Sequence, residues 1–221
     1  MDLAGGSVET YINALYTPLG ESLEILRAQA ENEHVPIIQK STEMLLCNVI
    51  NMKKPKHILE IGTAVGYSAA CFAEKDKNCR IISIESNEEM YEKALRNLGE
   101  LKLSERVQVI CGDAEAVIRE KLASCKFDFV FIDAAKSHYK RFFNAAAAVC
   151  TDDAVIISDN MLLQGIVDIS SVRRRNRTKV RNMKEYIQYI SSLPYADTSI
   201  LPVGDGLAIT VLKRGRGHEE N

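Results

Sequence analysis

The spacing of hydrophobic and polar residues changes near residue 57 of this 221-residue chain. Before that point, apolar residues recur at helical spacing through 8–16, 21–33 and 36–52, and Pro36 is expected to begin the third helix. After it, short apolar runs of strand type alternate with amphipathic helical stretches. The runs are HILEIG (57–62), RIISIE (80–85), VQVICGD (107–113), FDFVFID (127–133) and AVIISDN (154–160). This alternation predicts βαβ units and a parallel sheet with helices on both faces.

The last part of the chain has a different pattern. A helical stretch at about 180–193 precedes TSILPVGDGLAITVLK (198–213), in which two apolar runs flank Gly204-Asp205-Gly206. Two strands joined by such a turn form an antiparallel hairpin. We therefore expect one domain over 1–221, with a helical N-terminal part (1–55), a doubly wound α/β core (56–213) and a tail (214–221).

Composition limits the class of protein. A net charge of -2 and 46% hydrophobic residues are ordinary for a soluble globular domain, and they exclude a strongly basic chain without excluding a local basic patch. The N-terminal residues lack the cationic start and apolar stretch of a secretory signal, and no apolar run is long enough to span a bilayer. The six cysteines show no C-x-x-C pairing. We expect a cytoplasmic protein with reduced thiols and no membrane contact.

The first candidate site follows the first strand, in LEIGTAVGYS. Gly62 and Gly66 allow a tight turn, and the next helix presents free N–H groups around Tyr67 and Ser68. The E-x-G-x-x-x-G spacing differs from that of nicotinamide-binding domains, and Glu60 would repel a pyrophosphate. A cationic or zwitterionic ligand fits better, although a plain strand–helix turn has the same spacing.

Two further acidic residues follow the second and third strands. Glu85, 23 residues after Gly62, is placed to accept both hydroxyls of a ribose, although a lone Glu beside Ser86 is more often a helix cap. Asp113 suits an N-cap and could also hydrogen-bond an adenine amino group.

The fourth and fifth strands end in FIDAAK and IISDN. If these strands are neighbours, Asp133 and Asp159 face each other about 5 Å apart, and two such carboxylates repel unless a proton or a cation joins them. Asn160 adds a neutral oxygen, provided that the chain has left the strand there. Each residue alone would be a cap or turn residue, but together they predict a Mg²⁺ site.

These segments, together with LPVGDGLAI, resemble the metal-dependent O-methyltransferases of the catechol and caffeoyl-coenzyme-A type over about residues 34–213. The resemblance implies a class I methyltransferase fold with a mostly parallel seven-stranded sheet, and S-adenosylmethionine (SAM) as methyl donor. It places the sulfonium near Glu60 and the Gly62–Ser68 turn, the ribose on Glu85, the adenine by Asp113 and Ala114, and the methionine side by Ile38. It also implies a divalent metal on Asp133, Asp159 and Asn160, and Lys136 as general base, whose cationic neighbours would favour its neutral form.

The sequence defines the methyl acceptor less closely than the methyl donor. The chain contains no Trp to wall a flat catechol, and SVRRRNRTKVR carries Arg173, Arg174, Arg175, Arg177, Lys179 and Arg181 without an acid. This run is either a solvated helical face or a polyanion site. With the NRT and LPVGDGLAI segments it resembles the bacterial tRNA 5-hydroxyuridine methyltransferases.

The main functional prediction is therefore 5-O-methylation of wobble 5-hydroxyuridine in the tRNA anticodon loop, whose vicinal oxygens can chelate a metal as a catechol does. A small-molecule catechol-type or caffeoyl-CoA-type methyltransferase is the alternative, and a non-catalytic SAM- or RNA-binding module is less favoured. The amphipathic N-terminal helices are also candidates for homodimer contacts.

Overall fold

The structure, a computed structural model, describes residues 5–162, 177–213 and 215. Its elements follow the order that the sequence predicts, with three helices before an alternation of strands and helices. They are α1 (Gly5–Ala14), α2 (Glu21–Asn32), α3 (Lys40–Lys53), β1 (His57–Ile61), α4 (Tyr67–Lys75), β2 (Arg80–Glu85), α5 (Glu88–Glu100), β3 (Val107–Cys111), α6 (Ala114–Lys121), β4 (Phe127–Ile132), a 3₁₀ helix (Lys136–His138), α7 (Tyr139–Ala148), β5 (Cys150–Ser158), α8 (Arg177–Ser191), β6 (Ala196–Leu201) and β7 (Leu207–Leu212).

One seven-stranded sheet organises these elements, in the order β3-β2-β1-β4-β5-β7-β6. The first five strands pair in parallel, whereas β7 pairs antiparallel with both β5 and β6. This arrangement confirms the predicted Rossmann-like fold and its C-terminal hairpin. Ile61 pairs with Ile84 and with Ile132, and Ile132 pairs with Ser158, so the carboxyl ends of four strands lie level. The strand order reverses between β1 and β4, where such sheets open a ligand crevice.

Aromatic side chains cover the sheet on both faces. On one face, the Phe72 ring of α4 meets Phe129 and Phe131 of β4 edge-on, with centroids 6.1 and 5.6 Å apart. On the other face, Phe143 of α7 packs against Tyr186 of α8, with centroids 6.1 Å apart. Each fully buried side chain of this size stabilises the fold by roughly 1.5–3 kcal/mol.

Two boundaries differ from the sequence-based expectation. Pro36 does not begin a helix: residues 35–39 form no regular element, and α3 starts at Lys40. Strand β5 starts at Cys150 rather than near residue 154, because Cys150 pairs with Phe127 and the register then shifts before Phe129. The hydrophobic pattern missed these four residues because three of them are polar.

The N-terminal helix α1 leaves apolar side chains in solvent. Tyr11 is 67% exposed and Leu15, just after the helix, is 57% exposed. The predicted contact with a second subunit remains a prediction. Within residues 5–162 and 177–213, no helix has the length and apolar character needed to cross a membrane. All six cysteines are free thiols.

A buried carboxyl group supports the turn that follows β1. Glu60 is fully buried, and its carboxylate accepts hydrogen bonds from the hydroxyls of Ser68 and Ser83. The Thr63 hydroxyl is in turn 2.5 Å from that of Ser83. Burial raises the pKa of Glu60 from 4.5 to about 7; the two serine hydrogen bonds lower it, and the charges of Asp133 and Glu85 raise it further.

This pKa shift predicts how stability changes with pH. Because the folded protein holds the Glu60 proton more tightly than the unfolded chain, the stabilisation is complete below pH 4.5 and is lost as pH rises through 7. Glu60→Gln, which mimics the protonated group, should match the wild type near pH 4.5. Above pH 7 it should exceed the wild type by about 3 kcal/mol in the free energy of unfolding, because each unit of the pKa difference between 4.5 and about 7 corresponds to about 1.4 kcal/mol.

Chemical denaturation across this pH range measures the difference. Glu92→Gln is the matched control, since the Glu92 side chain is 62% exposed, and its profile should run parallel to that of the wild type. A constant difference between Glu60→Gln and the wild type at all pH values would contradict the prediction.

Candidate active site

A cavity of about 530 Å³ opens at the carboxyl ends of the parallel strands. Its walls come from the segment 36–39, the turn after β1, the ends of β2 to β5 and the β6–β7 turn. The predicted site residues that line it are Ile38, Gly62, Tyr67, Ser68, Glu85, Asp113, Ala114, Asp133, Lys136, Asp159 and Asn160. Glu60 and Gly66 do not line it: Glu60 lies behind the wall, where it holds Ser68 in place.

Both glycines of the first turn have backbone conformations that other residues rarely adopt. Gly62 has φ +101°, and a Cβ atom there would overlap the carbonyl oxygen of Asp133. Gly66 has φ +85° and lies against the Leu98 side chain of α5. The turn is therefore fixed by close backbone approach, and it brings the β1 and β4 ends into contact.

Glu85 is held by backbone donors at the edge of the cavity. Its carboxylate accepts N–H groups from Ala64 and Asn87, each at 2.8 Å. It is not the helix cap, because Asn87 caps α5 through the N–H of Met90 at 3.0 Å. Each carboxylate oxygen keeps a free lone pair, so the group has the capacity to accept two hydroxyls, and ribose binding by Glu85 stays a prediction.

Asp113 caps α6 and also forms an ion pair that the sequence did not reveal. It accepts the N–H of Ala116 at 3.2 Å and a hydrogen bond from Arg141 at 2.8 Å. Arg141 also lies 3.2 Å from Glu115. Burial alone would raise the pKa of Asp113, but the Ala116 bond and the charge of Arg141 lower it. The group therefore stays ionised and can accept a hydrogen bond from an adenine amino group.

Asp133, Asp159 and Asn160 come together at the floor of the cavity. The N–H of Asp159 donates to the carbonyl of Ile132 at 3.0 Å, which keeps the two strand ends level. Asn160 has a left-handed φ of +63°, so the chain leaves the strand as the metal-site prediction requires. Its amide nitrogen donates to Asp133 Oδ1 at 3.1 Å.

The two carboxylates oppose each other's ionisation. Burial, and next the charge of Asp133, raise the pKa of Asp159 from 3.8 to about 7. Burial also raises the pKa of Asp133, while Lys136 lowers it and Asp205 raises it. Within the part of the chain that the structure describes, no group of three or more His, Cys, Asp or Glu side chains could hold a metal ion. The expected ligand set contains two carboxylates and one amide, and therefore only two side chains of those four types. Metal binding by this set stays a prediction.

Asp205 is a site residue that sequence reasoning missed. It lies in the β6–β7 turn, which packs on the chain after β5: Met161 and Leu162 donate N–H groups to the carbonyls of Gly206 and Asp205, each at 2.9 Å. Asp205 lines the cavity and raises the pKa of both Asp133 and Asp159. Its position between two glycines of LPVGDGLAI was the available signal.

The 3₁₀ helix after β4 contributes a cationic side chain to the wall of the cavity. Lys136 is half-buried and lines the cavity with His138 and Phe142. Tyr139, by contrast, is 1% exposed and packs against Tyr186 with ring centroids 5.4 Å apart, so its role is packing.

The predicted RNA-binding run is only partly described. Arg173, Arg174 and Arg175 lie outside the described residues, and so does the side chain of Arg177, whose backbone begins α8. Lys179 is exposed, and Arg181 is 65% exposed with its Nε 3.8 Å from Glu185. Neither of these two lines the cavity. RNA contact by this run remains a prediction.

Comparison with known proteins assigns this architecture to a family. A family model described as O-methyltransferase matches residues 16–214. The catechol O-methyltransferase of Niastella koreensis is 27% identical and covers 94% of this chain and 97% of its own. The caffeoyl-CoA O-methyltransferase 1 of Arabidopsis thaliana is also 27% identical, covering 89% of this chain and 80% of its own.

Solved structures agree. A Staphylococcus aureus protein provisionally described as a caffeoyl-CoA O-methyltransferase is 35% identical, with a TM-score of 0.87 over 92% of this chain and 98% of its own. The Bacillus cereus O-methyltransferase in complex with S-adenosylhomocysteine (SAH) is 24% identical, with a TM-score of 0.81 over 94% and 97%. These matches confirm the predicted SAM-dependent O-methyltransferase. The chain therefore belongs to the O-methyltransferase family that includes enzymes of the catechol and caffeoyl-CoA type.

Proposed function

We propose that this protein transfers the methyl group of SAM to one hydroxyl of a small aromatic molecule that carries two adjacent hydroxyls. The observation that carries the proposal is the cluster of Asp133, Asp159 and Asn160, which lies in the same cavity as Lys136 and the turn after β1. The cluster can bind a dication, and a dication can bind paired oxygens beside a donor held by the turn.

The donor side has the charge that SAM requires. The cavity lining among the described residues includes Glu85, Asp113, Asp133, Asp159 and Asp205. Lys136 is the lysine that faces this set. Such a cavity attracts a cationic sulfonium, and its buried acids lose repulsion when a cation enters.

The residues on the floor fit a divalent metal. Two carboxylates with raised pKa values recover their charged form beside a cation, and the amide of Asn160 can present its oxygen after a rotation that exchanges its two ends. Asp133, Asp159 and Asn160 would hold the ion. When bound, it would supply Lewis acidity to the hydroxyl of the acceptor.

The protein's own groups then perform the transfer. In an in-line displacement, the acceptor oxygen bonds to the methyl carbon while the carbon–sulfur bond breaks, and the electron pair stays on sulfur to give neutral SAH. Acting as the general base, Lys136 accepts the hydroxyl proton and then passes it to solvent. His138 and Phe142 line the cavity near Lys136 and are the candidates to contact the acceptor.

The names of the related enzymes favour a small acceptor over tRNA. Curated relatives named for catechol, caffeoyl-CoA and flavonoid methylation are 24–27% identical over most of the chain. The tRNA hypothesis rests on the basic run, most of which lies outside the described residues, together with the absence of Trp and the resemblance of the NRT and LPVGDGLAI segments. Methylation of wobble 5-hydroxyuridine in tRNA is therefore the second function that the acceptor comparison tests.

An acceptor comparison tests the proposal. The wild-type enzyme with Mg²⁺ should methylate caffeoyl-CoA or a simple catechol with a kcat/KM at least about 100-fold above that for the corresponding monohydroxy compound, which has no second oxygen to chelate. An anticodon stem-loop carrying 5-hydroxyuridine is assayed beside them by SAH release. If the RNA gives the higher kcat/KM, the small-molecule proposal is wrong and the tRNA hypothesis replaces it.

Replacement of Lys136 tests the general base. Lys136→Gln should lower kcat by about 100-fold or more and leave the KM for SAM within about twofold, because the proton acceptor acts in the chemical step. Lys140→Gln, an exposed lysine four positions along, is the matched control and should behave as the wild type. Full kcat in Lys136→Gln would exclude the assigned role.

Removal of one carboxylate tests the metal site. Asp159→Asn should lower activity by about 100-fold or more, and added Mg²⁺ should not restore it. Treating the wild type with a chelator should abolish activity that Mg²⁺ then restores. Asp197→Asn, at a side chain 78% exposed, is the matched control. Full wild-type activity in chelator would rule out the metal, and calorimetry with SAH checks that the donor site of Asp159→Asn is intact.

A further inference from the structure

A buried charged network joins the N-terminal helices to the wall of the cavity. Arg27 of α2 is 5% exposed and Glu43 of α3 is 2% exposed. Arg27 Nη2 donates to Glu43 Oε2 at 2.7 Å, and Nη1 donates to Glu31 Oε1 at 3.1 Å. Burial of two charges is unfavourable unless further hydrogen bonds satisfy them.

Two further hydrogen bonds from Arg27 reach residues of the cavity wall. Nη2 also donates to the carbonyl oxygen of Ile38 at 3.0 Å, and Nε donates to the hydroxyl oxygen of Tyr67 at 3.0 Å. Both Ile38 and Tyr67 line the cavity, whereas Arg27 does not. The guanidinium carbon also lies 4.7 Å from the centroid of the Tyr67 ring. One side chain therefore connects the segment 36–39 to the first residue of α4.

Glu43 completes the network from the other side. Its Oε2 accepts the hydroxyl of Tyr67 at 2.6 Å, and its Oε1 accepts the hydroxyl of Tyr16 at 2.8 Å. The Tyr67 hydroxyl thus accepts from Arg27 and donates to Glu43, which fixes both the position and the orientation of the ring.

We propose that Arg27 and Glu43 are positioning residues for the methyl donor: they hold Ile38 and Tyr67 at the separation that the donor requires. This inference rests on the donor side of the proposed function. Arginine is required because its planar guanidinium group donates hydrogen bonds to the Ile38 carbonyl, the Tyr67 hydroxyl and the Glu43 carboxylate at the same time. A lysine has one nitrogen and cannot reach all three from the same stem.

Direct measurement of donor affinity tests this role. Arg27→Lys should weaken the binding of SAH, measured by calorimetry, by about tenfold or more, as expected when charge-assisted hydrogen bonds are lost. The KM for SAM should rise with it, while the KM for the acceptor stays within about twofold.

Arg106→Lys is the matched control. Arg106 is also partly buried, and it donates to the carbonyl of Ala73 at 2.7 Å near the C-terminal end of α4, away from the cavity. Its replacement should lower the melting temperature without changing the affinity for SAH.

A second pair of variants separates positioning from stability. Arg27→Met leaves Glu43 as an unpaired buried charge and should destabilise the protein. Adding Glu43→Gln removes that charge and keeps an acceptor for the tyrosine hydroxyls, so the double variant should recover melting temperature. Its affinity for SAH should stay low, because nothing replaces Arg27 at the Ile38 carbonyl.

The outcomes are distinguishable. The inference is overturned if Arg27→Lys binds SAH as tightly as the wild type, or if the double variant recovers affinity together with stability. If the wild type itself does not bind SAH, the donor side of the proposed function fails and this inference fails with it.

Discussion

The close approach of β1 and β4 at their carboxyl ends is the constraint on which the site depends. Gly62 follows β1, and a side chain there would overlap the carbonyl oxygen of Asp133. Because the two backbones touch, the turn after β1 and the Asp133 carboxylate, which both line the cavity, are held next to each other. This contact lies where the strand order reverses, so the crevice opens directly above it.

The acidic groups in this crevice repel one another, and this repulsion lowers the stability of the ligand-free protein. The charge of Asp133 raises the pKa of Asp159, and Asp205 adds to the effect. Such repulsion is retained in a folded protein where a cation relieves it, so binding of cations and folding are thermodynamically linked. The same acids explain why a donor that carries a positive sulfur fits the cavity.

Most of the fold and much of the site follow from local patterns in the sequence. Strand–helix alternation and the last residues of each strand predict the sheet and the positions of Glu85, Asp133 and Asp159, because parallel strands bring their carboxyl ends to one edge. Local patterns do not predict the role of Pro36 correctly. The carbonyl of Ile38, two residues later, accepts a hydrogen bond from Arg27 of α2, and a local pattern does not reveal such a contact between separate elements. Local patterns also do not predict that Asp205 belongs to the site, because its position depends on where the β6–β7 turn packs.

The N-terminal helices show why other features of the site can be recognised only in the structure. Arg27 contacts Tyr67, which is 40 positions away in the chain, and no spacing rule pairs them. A charged residue on an amphipathic helix is normally solvated, so burial of Arg27 becomes visible only once α2 and α3 pack on α4. The helices that precede the α/β core thus do more than cover its apolar face. Since Arg27 of α2 binds the carbonyl of Ile38 in the cavity wall, the shape of the cavity depends on how these helices pack. Under the proposed positioning role, mutations far from the strand ends therefore alter donor affinity.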